Sequence, residues 1–141
     1  MRVTPFSGLG APASGMRVYQ TWIDAVGDNV ANINTINPAG SPAFQERYVI
    51  ASSSGRNGVG RGASIGDGSY VAGAAFGSAE GRLVYQPDHP YADADGMVRV
   101  PDMDLPTQMT NLIIAQRAYS ANVTVFERAR DSYERALELG R

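Results

Sequence analysis

A serine flanked by glycines lies near the middle of the chain, in a spacing that can carry nucleophilic catalysis. Residues 62–66 read Gly-Ala-Ser-Ile-Gly, and Asp88 and His89 follow in the chain order of a hydrolase triad. That motif requires a strand before the serine and a helix after it, within a large parallel sheet. Here both flanks are glycine-rich, and 141 residues are too few for such a fold. We therefore predict no catalytic residue and no enzymatic function.

Two further patterns could bind ligands, but each lacks its context. Residues 58–63, Gly-Val-Gly-Arg-Gly-Ala, match a dinucleotide fingerprint, yet they follow Ser-Ser-Ser-Gly rather than a strand. Residues 93–96, Asp-Ala-Asp-Gly, resemble part of a calcium loop. Tyr91 and Asp102 occupy its first and last ligand positions, where an oxygen ligand and a bidentate glutamate are needed. His89 is the single histidine and there is no cysteine, so we predict a hydrogen-bonded turn there, no metal and no cofactor.

The charge and hydropathy of the chain argue against some classes of partner. A net charge of −2 and a pI near 5.3 argue against a nucleic-acid partner, which would need a clustered basic face. All twelve basic residues are arginine and are spread along the whole chain. No apolar run is long enough to span a membrane, and the N-terminus lacks the apolar stretch of a signal peptide. We expect no membrane insertion and, if the protein is exported, no cleaved signal.

Seven-residue apolar repeats mark both ends of the chain. The N-terminal repeat consists of Leu9, Met16, Tyr19, Ile23, Val26, Val30 and Ile33. The C-terminal repeat consists of Leu105, Met109, Leu112, Tyr119, Val123, Phe126, Tyr133 and Leu137. Such seams become buried against another helix, either in the same chain or in a neighbouring subunit. The pattern predicts assembly rather than catalysis.

Capping and helix-breaking residues place the two helices. The first is predicted to begin near Pro12 and to end around residues 34–35, before an Asn-Pro-Ala-Gly cluster. The second is predicted to open at Asp104, with Gln108 contributing to the helix start, and to run to about Leu139. Such a helix is a rod of roughly 50 Å, longer than the rest of the chain can cover.

The segment between the helices is short of side-chain volume. Eleven of the sixteen glycines lie between Gly40 and Gly96, so a compact core there is expected to be marginal. Short strands are predicted at 44–51, 69–75, 81–86 and 96–100, and a flexible Gly/Ser segment at 52–68. Pro87, Pro90 and Pro101 predict an extended connector rather than a sheet interior.

These elements define a mainly α fold with a small β-rich, glycine-rich middle. We predict an N-terminal helical region at 1–36, an irregular and β region at 37–104, and a C-terminal helix at 105–141. The two helices are expected to form a coiled-coil-like pair that oligomerisation completes.

Three blocks of sequence resemble a known family. The first is residues 14–20 with 29–35, Ser-Gly-Met-Arg-Val-Tyr-Gln and Asn-Val-Ala-Asn-Ile-Asn-Thr. The second is 85–104, with Pro-Asp-His-Pro-Tyr-Ala near its start, and the third is 109–123, with Arg-Ala-Tyr-Ser-Ala-Asn at 117–122. The first and third blocks resemble flagellar axial proteins in general. The second, with the short length, resembles the proximal rod proteins of the bacterial flagellar basal body (the FlgC type).

The resemblance implies a subunit that the flagellar type III apparatus exports unfolded. It would polymerise in the periplasmic rod, around a central channel, with copies of itself and other rod proteins as partners. The assembly interface would include the two seams together with Asn29, Asn32, Asn111, Ile113 and Asn122. We hypothesise that the asparagines fix the register between neighbours. Alternatives are another axial protein of the distal rod or hook-junction type, and a non-enzymatic export or assembly adaptor.

Overall fold

Two long helices form the ends of the described chain, and five short strands lie between them in sequence. The computed structural model describes residues 7–54 and 68–140. The elements are α1 (Ser7–Asn32), β1 (Asn37–Pro38), β2 (Arg47–Ser53), β3 (Ser69–Phe76), β4 (Arg82–Tyr85), β5 (Met97–Val100) and α2 (Leu105–Leu139). The predicted arrangement of terminal helices around a small β region is confirmed. The glycine-rich motifs at 58–63 and 62–66, and most of the predicted flexible segment, lie outside the described residues.

The start of α2 follows its predicted capping chemistry. The backbone N–H of Thr107 donates to Asp104 Oδ2 at 2.9 Å, which satisfies one of the unpaired donors of the first turn. This hydrogen bond holds the pKa of the Asp104 carboxyl below its ordinary value. Pro106 lies in the first turn, and the helix ends at Leu139 with Gly140 as its C-cap. Both predicted ends of α2 are confirmed.

The predicted start of α1 near Pro12 is wrong. The helix begins at Ser7, so Pro12 lies inside it. A proline there removes one backbone hydrogen bond and crowds the preceding turn. Pro12 is buried, and we attribute the tolerance of this defect to tertiary packing, which routinely overrides local helix preference.

Two separate antiparallel sheets form the middle of the molecule. β2 pairs with β3 in a hairpin that has an irregular register between Ile50 and Ala51. The other sheet has the order β1–β5–β4. The strand predicted at 96–100 is thus present as β5, but it is a central strand, so the prediction that this part of the chain is not a sheet interior is wrong for it. The prolines flank β5 instead of interrupting it, so its ladder hydrogen bonds are kept.

The Asp-Ala-Asp-Gly segment makes the tight turn before β5. The Asp93 carboxylate accepts hydrogen bonds from the backbone N–H groups of Asp95, at 3.0 Å, and Met97, at 2.8 Å. Gly96 has φ of +75°, a conformation that favours glycine. Its position also lacks room for a side chain, since a Cβ atom would lie 2.7 Å from the Tyr85 ring. This carboxylate is thus engaged in turn formation.

Among the described residues, the buried apolar side chains are few and mostly small. They are Pro12, Val18, Val26, Ala43, Val98, Val100, Pro101, Met103 and Ala115. α1 contacts α2 on one side and the β2–β3 hairpin on another, whereas α2 makes no contact with any described strand. Neither helix is apolar enough over its described length to cross a membrane.

Candidate assembly surfaces

Two contacts fix how the terminal helices pair. Gly15 of α1 faces Asn122 of α2, and Asn29 is hydrogen-bonded to Gln108. These contacts are 14 residues apart on each helix and run in opposite directions along the two sequences. The helices are therefore antiparallel, and the same register holds over two heptads. In this register the described start of α1, at Ser7, lies level with Arg130, so residues 131–139 of α2 extend past it.

The first contact depends on the absence of a side chain at residue 15. A Cβ atom on Gly15 would lie 2.7 Å from Asn122 Oδ1, closer than real Cβ atoms approach an oxygen. The amide of Asn122 donates to the backbone carbonyl of Ala118 at 2.8 Å and is thereby held in place. Gly15 thus provides the space that the Asn122 side chain occupies.

The second contact is a buried polar network centred on Gln108. Its Nε2 donates to Glu46 Oε1 at 2.6 Å, and its Oε1 accepts from Asn29 Nδ2 at 3.1 Å. Asn29 also bonds both backbone groups of Arg47, accepting from N at 2.8 Å and donating to O at 3.1 Å. Gln108 and Asn29 are each only 1% exposed. The network ties α1, α2 and the start of β2 together, and each buried polar atom in it has a partner.

The network reaches the surface through Glu46 and Arg47. The Tyr48 hydroxyl donates to Glu46 Oε2 at 2.6 Å, and this hydrogen bond raises the pKa of Tyr48 to about 12. The Arg47 guanidinium pairs with Asp28 of α1 and stacks over the Phe44 ring at 5.6 Å. The hairpin is thereby joined to the outer side of α1 as well as to the buried network.

A second joint between α1 and the hairpin is formed by Ser14. Its Oγ accepts from the backbone N–H of Ser69 at 3.0 Å and donates to the Ala11 carbonyl at 2.8 Å. Together with the Arg47 contacts, it holds both ends of the hairpin against the helix.

The helix–helix contact is not centred on the predicted apolar seams. On α1 the fully buried positions include Gly15, Val18 and Asn29, each one residue before a predicted seam position; Val26 is the only fully buried seam residue. Eleven predicted seam residues are half-buried: Leu9, Met16, Tyr19, Ile23, Val30, Ile33, Leu112, Tyr119, Val123, Phe126 and Tyr133. The centre of the junction is thus small and polar, with the apolar residues on its flanks.

The remaining apolar interface residues predicted on α2 are exposed. Leu105, Met109 and Ile113 follow one another at four-residue steps, with exposures of 47%, 37% and 50%. Leu137 is 56% exposed. Of the other asparagines, Asn32 donates to the Asp28 carbonyl at 2.9 Å, and Asn111 is half-buried. The role of all these residues in assembly stays a prediction.

Sequence reasoning missed the importance of Gln108 and Ala115. Gln108 was assigned to the helix start, but its side chain is held in the buried network, because Glu46 and Asn29 approach from other elements. Ala115, which lies midway between Gln108 and Asn122 in the sequence, is also fully buried. A usable signal was present, since Gln108, Ala115 and Asn122 are spaced by seven and are small or amide-bearing.

A groove of about 500 Å³ lies between α1 and the inner face of the hairpin. The helix side is formed by Thr21, Asp24, Ala25 and Asp28. The hairpin side is formed by Arg47, Tyr48, Val49, Val71, Gly73, Ala74 and Phe76. The floor is therefore mainly apolar, with one arginine, and the helical wall carries two carboxylates.

The predicted turn at His89 is confirmed. Its Nδ1 accepts from the Tyr91 backbone N–H at 3.1 Å, and the two rings lie 5.4 Å apart. Within residues 7–54 and 68–140, no three His, Asp or Glu side chains are grouped closely enough to hold a metal ion.

The C-terminal part of the chain is similar to a known family. Residues 94–139, which include β5 and α2, match the family described as flagellar basal body rod FlgEFG protein, C-terminal. This match covers most of the turn before β5, the cap and all of α2.

Relatives that match over nearly the full length give the particular family. The flagellar basal-body rod protein FlgC of Yersinia enterocolitica is 33% identical over 90% of this chain and 91% of its own length. The FlgC proteins of Bacillus subtilis and Borreliella burgdorferi are 28% and 29% identical, covering 99% and 95% of this chain and 100% and 96% of their own. The chain belongs to the FlgC family of flagellar basal-body rod proteins.

Proposed function

We propose that this chain is a structural subunit of the proximal rod of the bacterial flagellar basal body. It polymerises through its terminal helices into the drive shaft around the export channel. Family membership supports the rod assignment. The near-complete coverage of FlgC relatives argues against a distal rod or hook-junction protein with a larger middle domain.

The observation that carries the proposal is the uncovered apolar surface of α2. Leu105, Met109 and Leu137 are exposed in the single chain, although they belong to the heptad pattern of the helix, and Ile113 beside them is exposed as well. Apolar surface of this extent on a protein is typical of an interaction site. Neighbouring helices can cover it in a coiled-coil-like arrangement.

A rod also requires contacts that do not close. A contact between two different faces repeats from subunit to subunit, whereas a contact between identical faces closes a dimer. The proposed partners are copies of this chain, other rod proteins and, before assembly, the flagellar export apparatus. The subunit works in the periplasmic part of the basal body and reaches it without a cleaved signal peptide.

The proposal is tested by placing a charge on the part of α2 that extends past α1. Leu137 lies four residues after half-buried Tyr133 and so continues the same helix face. In Leu137→Asp, the folded monomer loses little, because the side chain is already exposed. A carboxylate in the helix contact opposes assembly, since burying an unpaired charge is costly.

The variant replaces the chromosomal copy in the native bacterium. We expect normal cellular levels and export, but few or no rods in basal-body preparations viewed by electron microscopy. Ser132→Asp is the matched control: it adds the same charge in the same overhanging segment, at an exposed position whose hydroxyl only bonds the Arg128 carbonyl. Normal rods in the Leu137→Asp strain would show that this face does not mediate assembly.

A further inference from the structure

We propose that the groove between α1 and the hairpin accepts the outer face of α2 from a second copy of this chain, with Asp24 paired to the second copy's Arg117. The inference rests on the proposed rod function and specifies one of the contacts between subunits. It joins two different surfaces, so it can repeat without closing.

The groove offers an apolar floor and one uncompensated carboxylate. Phe76, at one end of the floor, is 60% exposed. Of the two acidic residues in the wall, Asp28 is paired with Arg47. Asp24 accepts a hydrogen bond from Gln20 Nε2 at 3.0 Å, and it has no cationic partner in the described part of the chain.

The outer face of α2 carries the complementary groups. Met109, Ile113 and Arg117 follow at four-residue steps, which places them in one row along the helix. Arg117 is exposed and forms no ion pair with any described residue. The row spans about 12 Å and the helical wall of the groove, from Thr21 to Asp28, about 10 Å, so the two match in length.

The two surfaces of one molecule cannot meet each other. Asp24 is nine residues after Gly15, and Arg117 is nine residues after Gln108, which is two and a half helical turns in each case. Gly15 and Gln108 lie in the helix junction, so Asp24 and Arg117 project away from it on opposite sides of the pair. The contact is therefore intermolecular. The one cation in the groove, Arg47, is already paired with Asp28. Charge complementarity selects α2 of another copy, because its row ends in a cation that can pair with Asp24.

A charge exchange tests the pairing in cells. Asp24→Arg and Arg117→Asp each place like charges in the proposed contact, and we expect each to lower rod yield about tenfold, the coupling typical of a close interfacial pair. The double variant D24R/R117D restores the pair with reversed polarity and should recover most of the yield. Normal rods in both single variants would overturn the proposal, as would a double variant no better than the single ones.

A cross-link tests which molecules meet. The chain has no cysteine, so Ala74→Cys on the groove floor and Ile113→Cys on the α2 row introduce the only thiols. β3 and α2 do not contact each other within a chain, and a disulfide needs Cα atoms within about 7 Å. We expect oxidised basal bodies to give a ladder of multimers on non-reducing gels. Ala74→Cys with Ser132→Cys is the control that should give none.

The outcomes separate this proposal from the rod function. A ladder supports the groove contact, whereas monomers alone, dimers alone or a link to a different flagellar protein overturn it. If Leu137→Asp blocks rods while Asp24→Arg and Arg117→Asp leave them normal, the rod function stands and the groove contact falls. If the Leu137→Asp strain builds normal rods and the cross-linked ladder forms, the groove contact is supported. The proposed assembly role of Leu137, in the part of α2 past the described start of α1, is then wrong.

Discussion

The inside of the helix pair is polar and the outer side of α2 is apolar, which is the reverse of the usual arrangement. The junction is centred on Gly15 against Asn122 and Asn29 against Gln108, where polar groups are buried and satisfied. The outer side of α2 carries Leu105, Met109 and Ile113, whose side chains are exposed. In an ordinary monomer most of the large apolar residues would be inside.

This difference separates two tasks. A buried amide network contributes modest net stability but tolerates only one register, because a shift leaves polar groups unsatisfied. Apolar side chains contribute most when they are removed from water. The junction therefore specifies how the two helices pair, and the exposed row retains its burial energy for contacts with neighbours.

The comparison between the polar junction and the apolar outer side of α2 is tested most strongly by truncating the Gln108 side chain. In Gln108→Ala, Glu46 and Asn29 each lose a buried hydrogen bond and a cavity replaces the side chain, so we expect a loss of about 2–4 kcal/mol in unfolding free energy. Urea unfolding followed by circular dichroism measures it. Asn29→Ala should then cost less in this background than alone, because the two residues share a bond.

Gln116→Ala is the matched control. It removes the same side chain from the same helix at an exposed position, and we expect a change within about 0.5 kcal/mol. Equal effects of the two substitutions would mean that the buried network does not hold the helices together.

A smaller effect is expected at the glycine contact. In an open helix position, Gly→Ala stabilises by about 1 kcal/mol, and this is the expectation for Gly27→Ala, where a Cβ atom meets nothing within 4 Å. At Gly15 the Cβ atom collides with Asn122, so Gly15→Ala should be neutral or destabilising by about 1 kcal/mol. The same urea measurement compares them.

Asn122→Ala provides the second arm of this test. Without the Asn122 amide, Gly15→Ala should become stabilising, like Gly27→Ala. If Gly15→Ala stabilises the unaltered chain as much as Gly27→Ala does, residue 15 is not a site of close approach.

The sequence predicted the elements better than their contacts. The Asp104 cap, the end of α2 and four strands could be read from local chemistry, because capping and turn residues act on their near neighbours in the chain. The start of α1 could not, since the penalty at Pro12 is overridden by packing. Apolar periodicity located the helices but placed the junction one residue away on α1. That displacement depends on Gly15, whose lack of a side chain lets Asn122 approach.

The candidate surfaces were predicted only in part. Leu105 and Met109 could be listed from their spacing and Ile113 only from the family resemblance. The spacing does not distinguish a residue that packs within the chain from one left exposed. The groove on α1 depends on the position of the hairpin, which is set by Ser14 with Ser69 and by Arg47 with Asp28. These pairs are separated by 55 and 19 residues, and no local pattern connects them.

The smallest expected effect is a titration at the edge of the buried network. Glu46 accepts from both Gln108 and the exposed Tyr48 hydroxyl, and it raises the pKa of Tyr48 from 10.0 to about 12. Since this pKa is higher in the folded than in the unfolded chain, the Tyr48 contribution to stability is complete below pH 10 and is lost as the pH rises towards 12.

Tyrosinate absorbance, compared with that of Tyr48→Phe, isolates this group among the seven tyrosines. In Glu46→Gln the acceptor charge is gone, so the Tyr48 midpoint should fall back towards 10.0. A midpoint that stays near 12 in Glu46→Gln would show that Tyr48 is not coupled to the network. The Tyr48 side chain would then contribute nothing to the link between the hairpin and the network.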